Sequence, residues 1–493
     1  SPRPVRAGRT YGLTPPTPRR SRRWGSSPLL PWPVPRPRGD YVLAFPLRCV
    51  DYPHRRLARP PRFGVDAQAD DLPKVDAPPP SFPIKRLTPA RSNNGDRMDA
   101  CRNYVRYCRP NVGCDVVRYL YSGDGWDGES LVDAVRARHA DGRGSGLDSD
   151  AVRLAEEKAA HELETEPASV VMTSSGTGAL TAAVCAITEK QGVGEVLVPA
   201  FGWTSVASVF LVLGWSVRVV DVGKHSLVPG AAEYRRAMTA NTSALVVAHM
   251  RGMPNPDLSE VCQICDERSL LLIEDCAQAW GATVSSRKVG TFGDFSVFSS
   301  QENKLISTGE GGMCVSKREE WSSLVRRVSG YISERKATTL NLRMPDIQAE
   351  LFVRELGAID SRILRLRELQ NLIRREFDAY LEIRERKREI LGSYAGSNGQ
   401  AVCVLPANKK DMELLCSKLR KYHVRHYTPC MEGDPHQARH WVAPYRPLAG
   451  LNSISNYVDI PIPLVSNIGE RDCYVACVRN AIWEVLCDDG AWD

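Results

Sequence analysis

The chain has 493 residues, 43% of them apolar and 25% charged, enough for two or three domains with sizeable cores. Its longest notable apolar stretch, Val206 to Leu213, is far short of the roughly 20 residues that span a bilayer, so no membrane protein is expected. The net charge of +7 sits in the first 39 residues, which hold nine arginines and no acid; the remainder carries −2, and no nucleic-acid partner is expected.

Residues 1–97 differ from the rest. Ten of the first 39 are proline, arginines cluster at Arg19, Arg20, Arg22 and Arg23, and apolar periodicity is absent. Such composition buries too little surface to offset the entropy of ordering. The first methionine is Met98, so residues 1–97 are expected to be a disordered leader or an over-extended gene start. An Arg- and Ser-rich, acid-poor segment is also the text of an organelle-targeting peptide, the competing reading.

From about residue 150, short apolar runs alternate with amphipathic stretches. The runs Ser169–Met172, Glu195–Val198, Val217–Val220, Ala244–Ala248, Leu270–Ile273, Phe295–Phe298 and Met313–Val315 read as strands. Ala179–Glu189, Ser205–Leu213, Leu258–Glu267 and Glu319–Val328 read as helices. This alternation predicts an α/β domain built on a mainly parallel, buried sheet. Residues 98–345 are therefore expected to form an N-terminal segment and a large domain. Residues 346–493 are expected to form a long helix, broken near Asp360, and a smaller α+β domain.

Fifteen cysteines scattered through a long chain do not read as a disulfide framework. Cys262 and Cys265 form one CxxC without a second to complete a tetrahedral site, and they are expected to pack within a helix. His436 and His440 are four apart but lack a glutamate and a third ligand, so no metal is expected.

Three features carry chemistry. Ser174-Ser175-Gly176-Thr177-Gly178 follows a strand and opens a helix, where small residues let backbone N–H groups converge on an anion. Asp275, in Ile273-Glu274-Asp275-Cys276-Ala277-Gln278, ends a strand where a carboxylate can face a ligand cation, with Gln278 three residues on. Lys304 lies just past the strand ending Phe298-Ser299-Ser300, among polar residues and before Gly309-Glu310-Gly311-Gly312. A desolvated lysine there is suited to forming a Schiff base. Taken singly, each has a structural reading, since Ser, Thr and Gly cap ordinary helices; together, in this order, they make a pyridoxal-phosphate (PLP) site.

In these motifs the sequence resembles the DegT-type sugar and cyclitol aminotransferases of the fold type I PLP enzymes. SSGTGAL resembles their phosphate-binding turn, VPAFGWTS their ring-stacking segment, and VVAHMRGMPNPD their strand and loop with a histidine. IEDCAQAWGA, VGTFGDFSVFSS, NKLISTGEGGM and NLRMPDIQAEL resemble the segments that follow. The resemblance implies a large domain with a mainly parallel seven-stranded sheet and a smaller C-terminal α+β domain. It also implies roles: Lys304 as the Schiff-base lysine and proton carrier, Asp275 paired with the cofactor ring nitrogen, Gln278 on the ring's phenolic oxygen and Trp203 stacked on its face. Gly176, Thr177 and Ser299 would hold the phosphate, with Asn341 reaching the phosphate of a neighbouring subunit in a homodimer that shares its active sites. Outside the resemblance, Trp203 also reads as core and Asn341 as a helix cap.

The expected activity is transfer of an amino group from glutamate or glutamine to a ketone of a cyclitol or nucleotide-linked sugar, in the cytoplasm. The run Ser-Ser-Gln-Glu-Asn-Lys departs from the sugar-nucleotide pattern, resembles the cyclitol and aminohydroxybenzoate branches, and tilts the expectation toward a carbocycle. An aromatising synthase of the aminohydroxybenzoate kind and a non-catalytic PLP- or sugar-binding paralogue are the alternatives.

Overall fold

The structure is a computed structural model that describes residues 149–332, 339–383, 394–428, 448–465 and 467–488. The leader 1–97, the segment to residue 148, and His436 and His440 lie outside them.

Helix α1 (Asp150–Leu163) starts at Ser149, whose Oγ accepts the Val152 N–H at 3.2 Å, and ends at Glu164 in the left-handed conformation. Its apolar stripe, including Val152, Ala155, Ala159 and Leu163, is buried. There follow β1 (Val170–Thr173), α2 (Gly176–Gln191), β2 (Glu195–Pro199), α3 (Thr204–Val212), β3 (Ser216–Val220), α4 (Ala231–Ala237), β4 (Thr242–Ala248), α5 (Leu258–Arg268) and β5 (Leu271–Asp275). A small hairpin of β6 (Thr283–Val284) and β7 (Arg287–Lys288) precedes β8 (Phe295–Ser299), β9 (Gly312–Ser316) and α6 (Glu319–Val328).

The large sheet has seven strands in the order β1-β9-β8-β5-β4-β2-β3, and only β9 runs against its neighbours. Every residue of β1, β2, β5 and β9 is buried, as strands covered on both faces require. The α/β sheet expected from the apolar runs is therefore present. The boundaries move by up to three residues, and the shift that matters for the site is at β5, which continues past Ile273 through Glu274 and Asp275. Two adjacent acids mask a strand end in an apolar-run reading, and here each finds partners. The CxxC lies on α5, with Cys265 buried and Cys262 half-buried.

The long helical stretch is α7 (Asp346–Gly357) and α8 (Ile359–Ile383), separated at Ala358, two residues before Asp360. Arg362, buried past the break, pairs with Glu355 at 2.8 Å and also donates to the Leu305 carbonyl. Beyond it, β10 (Ala401–Val404) pairs antiparallel with β11 (Val458–Pro461). Helices α9 (Lys409–Lys421), α10 (Ala449–Ser453) and α11 (Ile468–Asp488) complete this part, with α8 against β10 and α11 packed on α8 and α9. Buried Asn398 joins this part to the large sheet: its backbone N–H donates to the Gly252 carbonyl at 3.0 Å and its Nδ2 to the Trp280 carbonyl at 3.1 Å. Gly252 has φ +75°, and a Cβ there would sit 1.8 Å from the Asn398 Oδ1, so the join needs glycine.

Candidate active site

In a parallel sheet the free backbone groups and helix N-termini gather at the carboxyl ends of the strands. Here the ends of β5 and β8, the loop after β4 and the start of α2 open on one cavity of about 890 Å³. Seven of the eight site residues expected from sequence line it: Gly176, Thr177, Trp203, Asp275, Gln278, Ser299 and Lys304. Asn341 does not; it is exposed, outside this chain's own cavity.

The α2 end is prepared for an anion. Ser175 Oγ caps the helix by accepting the Gly178 N–H at 2.9 Å, which leaves the N–H groups of Gly176 and Thr177 to a ligand. The turn is pressed onto β9 and β8: a Cβ at Gly312 would lie 2.5 Å from the Gly176 N and 2.6 Å from the Phe298 carbonyl oxygen. Because those atoms are backbone, Gly312→Ala is expected to cost about 1–3 kcal/mol of stability, as overpacked interiors do. Denaturant unfolding of the variant checks this, and an unchanged midpoint would mean that the turn can move aside.

Asp275 is buried at the end of β5, its Oδ1 accepting the Ala277 N–H at 3.0 Å. Burial raises its pKa, opposed by that hydrogen bond and by the Lys304 charge. Lys304 stands in a loop folded back on itself. Ser300 N donates to the Gly311 carbonyl at 2.9 Å, Thr308 N to the Ser300 carbonyl at 2.8 Å, and the two hydroxyls meet at 2.7 Å. Gly311, at φ +153°, has the Ser300 Oγ 2.3 Å from where a Cβ would lie. Burial lowers the Lys304 pKa, Asp275 opposes this, and the nearby Arg251 guanidinium adds to it. A half-buried amine and a buried carboxylate thus share one cavity, each displaced toward its neutral form by desolvation.

Trp203, the residue before α3, is 48% exposed with its indole on the cavity, so it is not a core residue. Gln278 Oε1 accepts the Arg251 backbone N–H at 2.8 Å, which leaves its Nε2 as a donor.

Several cavity residues were not singled out from sequence. His249, after β4, is fully buried; its Nδ1 accepts the Asn255 N–H at 3.0 Å and its Nε2 meets Glu274 Oε2 at 3.1 Å. Glu274 also accepts the N–H groups of Gly290, Phe292 and Gly293 at 2.7–2.8 Å. Cys276 lies close enough to complete a three-ligand group with this pair. Both His249 nitrogens and both Glu274 oxygens are occupied, and burial holds the thiol far toward its neutral form, so the cluster fits a hydrogen-bonded support and not a metal. The available signal was the Glu274-Asp275 pair: neighbours on a strand face opposite ways, so one acid had to point away from the ligand. Arg251 reaches the cavity from the same loop and pairs through Nε with Asp459 Oδ2 on β11 at 3.0 Å.

Residues 140–445 match the DegT/DnrJ/EryC1/StrS aminotransferase family. Similar proteins include a GDP-perosamine synthase of Vibrio cholerae, 31% identical over 264 residues that make up 52% of this chain and 70% of that protein. An L-glutamine:2-deoxy-scyllo-inosose aminotransferase of Micromonospora echinospora is 40% identical over 148 residues, 29% of this chain and only 34% of that enzyme. The fold matches the sugar aminotransferase CalS13 of Micromonospora echinospora with a TM-score of 0.63 at 21% identity, covering 74% of this chain and 99% of that one. It also matches the PLP form of a putative sugar aminotransferase, Spr1654 of Streptococcus pneumoniae, with a TM-score of 0.62 at 17% identity over 75% and 99% of the two chains. The seven-stranded sheet is thus the fold type I arrangement, and the chain belongs to the DegT/DnrJ/EryC1/StrS family of PLP-dependent aminotransferases.

Proposed function

We propose that this aminotransferase moves an amino group from glutamate or glutamine to a ketone of a cyclitol or nucleotide-linked sugar, with its cofactor held on Lys304. The observation that carries the reading is the cavity itself. An amine, a buried carboxylate and a helix N-terminus open on it together, matching a molecule with an aldehyde, a basic ring nitrogen and a phosphate. Asp275, whose ionised form is penalised by burial, gains a partner when a pyridinium faces it. The proposed phosphate ligands are the N–H groups of Gly176 and Thr177 and the Ser299 hydroxyl. Trp203 would lie against the ring and Gln278 Nε2 would donate to its phenolic oxygen.

When bound, PLP supplies an electron sink for the carbon that gains or loses the amine. This chain's own residues do the rest. Asp275 would hold a proton at the ring nitrogen, and Lys304 Nζ would carry the proton from the donor carbon to the cofactor carbon bound to the nitrogen, and in the reverse direction when the ketone is aminated. His249 and Glu274 fix the loop after β4 and the end of β5, which set the direction of Asp275. Asn341, exposed and outside its own cavity, is proposed to complete the phosphate site of a second subunit in a homodimer. Residues 98–345 and 346–493 are proposed as the large and small domains. The glutamine in Ser-Ser-Gln-Glu-Asn-Lys and the name of the Micromonospora relative both favour a keto-cyclitol as acceptor.

An absorbance spectrum of the protein purified with PLP tests the reading. The expected result is a visible band that borohydride fixes to Lys304 and that glutamate or glutamine bleaches. Keto-cyclitols and nucleotide keto-sugars are then screened for restoring the band. A folded protein with no such band would sink the proposal.

A further inference from the structure

We propose that Arg251 is the carboxylate-binding residue for the amino donor, gripping its α-carboxylate with the two Nη groups. The inference rests on Lys304 being the cofactor lysine. Arg251 lines the same cavity as Lys304, and its side chain is only 16% exposed. Its Nε is committed to the β11 region, 3.0 Å from Asp459 Oδ2 and donating to the Tyr457 hydroxyl at 3.2 Å. Neither Nη hydrogen-bonds to a described residue. A guanidinium offers two edges to carboxylates; Asp459 takes the Nε side, and the Nη1/Nη2 edge remains for a ligand.

Its placement is also fixed. Arg251 sits at φ +57°, its backbone N–H is held by Gln278 Oε1, and Asp459 is buried on β11. An arginine locked at both ends loses little freedom on gripping a ligand. The Asp459 charge and the Tyr457 hydroxyl keep the guanidinium ionised although it is buried.

The choice of an α-amino acid carboxylate over a nucleotide diphosphate follows from distance along the ligand. In an α-amino acid the amine and carboxylate share one carbon, so the anion receptor must adjoin the lysine. Arg251 and Lys304 line the same cavity, whereas a diphosphate lies several bonds from any reacting ketone carbon of the sugar.

The test uses the PLP-loaded protein and reads loss of the visible band against two amines. One is L-glutamine; the other is 4-aminobutanamide, which is glutamine without its α-carboxylate. Wild type is expected to respond to far less glutamine than 4-aminobutanamide. Arg251→Met is expected to need about 10- to 100-fold more glutamine, from the loss of charge-assisted bonds, while its response to 4-aminobutanamide, which shares only the change at Lys304, falls far less, so that the preference for glutamine collapses. Arg251→Lys, which keeps a charge but not the fork, should recover part of the difference. Binding of glutarate, which cannot react, should perturb the wild-type band and leave that of Arg251→Met unmoved. Removing Arg251 strands the buried Asp459 carboxylate, so Arg251→Met with Asp459→Asn provides a variant without that buried charge. An Arg251→Met protein that keeps the preference for glutamine overturns this inference alone. A wild type with no band overturns the reading of Lys304, and this inference with it.

Discussion

Replacing Lys304 by alanine is expected to abolish turnover, by at least about 10³- to 10⁴-fold, because one side chain both anchors the cofactor and carries the proton. The structure gives the physical basis for its reactivity. The nucleophile toward an aldehyde is the neutral amine, and an ordinary lysine at neutral pH is almost wholly protonated. Burial depresses the Lys304 pKa and Arg251 depresses it further, while Asp275 opposes them. A depressed pKa enlarges the neutral fraction at any pH below the usual lysine value, so Lys304 should condense with PLP at a lower pH than exposed lysines do. Limited PLP labelling of the cofactor-free protein, fixed by borohydride and mapped by mass spectrometry, should find Lys304 modified first as pH rises. Asp275→Asn removes the opposing charge, so in that variant Lys304 should react at still lower pH even though turnover falls. Donor-dependent chemistry surviving in Lys304→Ala would assign the catalytic amine elsewhere.

The sequence was most legible where one residue type has few uses. Lys304, Asp275 and Gly176-Thr177 sit at strand ends and a helix start, so the alternation of apolar runs located them, and the structure brings them to one cavity. What sequence did not deliver is pairing across long separations. Glu274, next to Asp275, is turned by the strand's alternation away from the ligand side, onto His249 and three backbone N–H groups far from it in sequence. Arg251 and Asp459 are 208 positions apart, and nothing local to either names the other. Arg251 looks like a loop arginine until its positive φ and its partner on β11 are seen. Asp459 does leave a trace, an acid between Val458 and Ile460 in an apolar strand, which is the pattern of a buried charge with a partner. The end of β5 was misjudged for the same reason: apolar periodicity cannot register a strand residue whose polarity is satisfied by its own fold.

Glu274→Ala should be the most destabilising single change near the site, costing about 3–5 kcal/mol, the usual penalty for breaking a fully buried charged network. Burial alone would push the Glu274 pKa up. Its hydrogen bonds and charge interaction with His249, together with the backbone donors Gly290 and Gly293, outweigh that and leave the pKa below the ordinary value of 4.5. A carboxyl whose folded pKa is depressed stabilises the native state above its unfolded pKa, and this contribution fades as pH falls through the folded value. The wild type should therefore lose stability on acidification partly through Glu274, and Glu274→Gln, which cannot titrate, should show a flatter acid limb from a lower starting point. Glutamine keeps the shape but has one acceptor oxygen, so its NH₂ would confront either the His249 side or the backbone N–H groups of Phe292 and Gly293. The loop after β4 and the turn holding Gly290 would then part from β5, and with them the direction of Asp275. Loss of cofactor affinity in Glu274→Gln should accordingly follow its loss of stability. Denaturant unfolding of wild type and both variants between about pH 4 and 8 separates the contributions. Parallel pH profiles for all three proteins would assign the acid sensitivity to other carboxylates and reduce Glu274 to a packing residue.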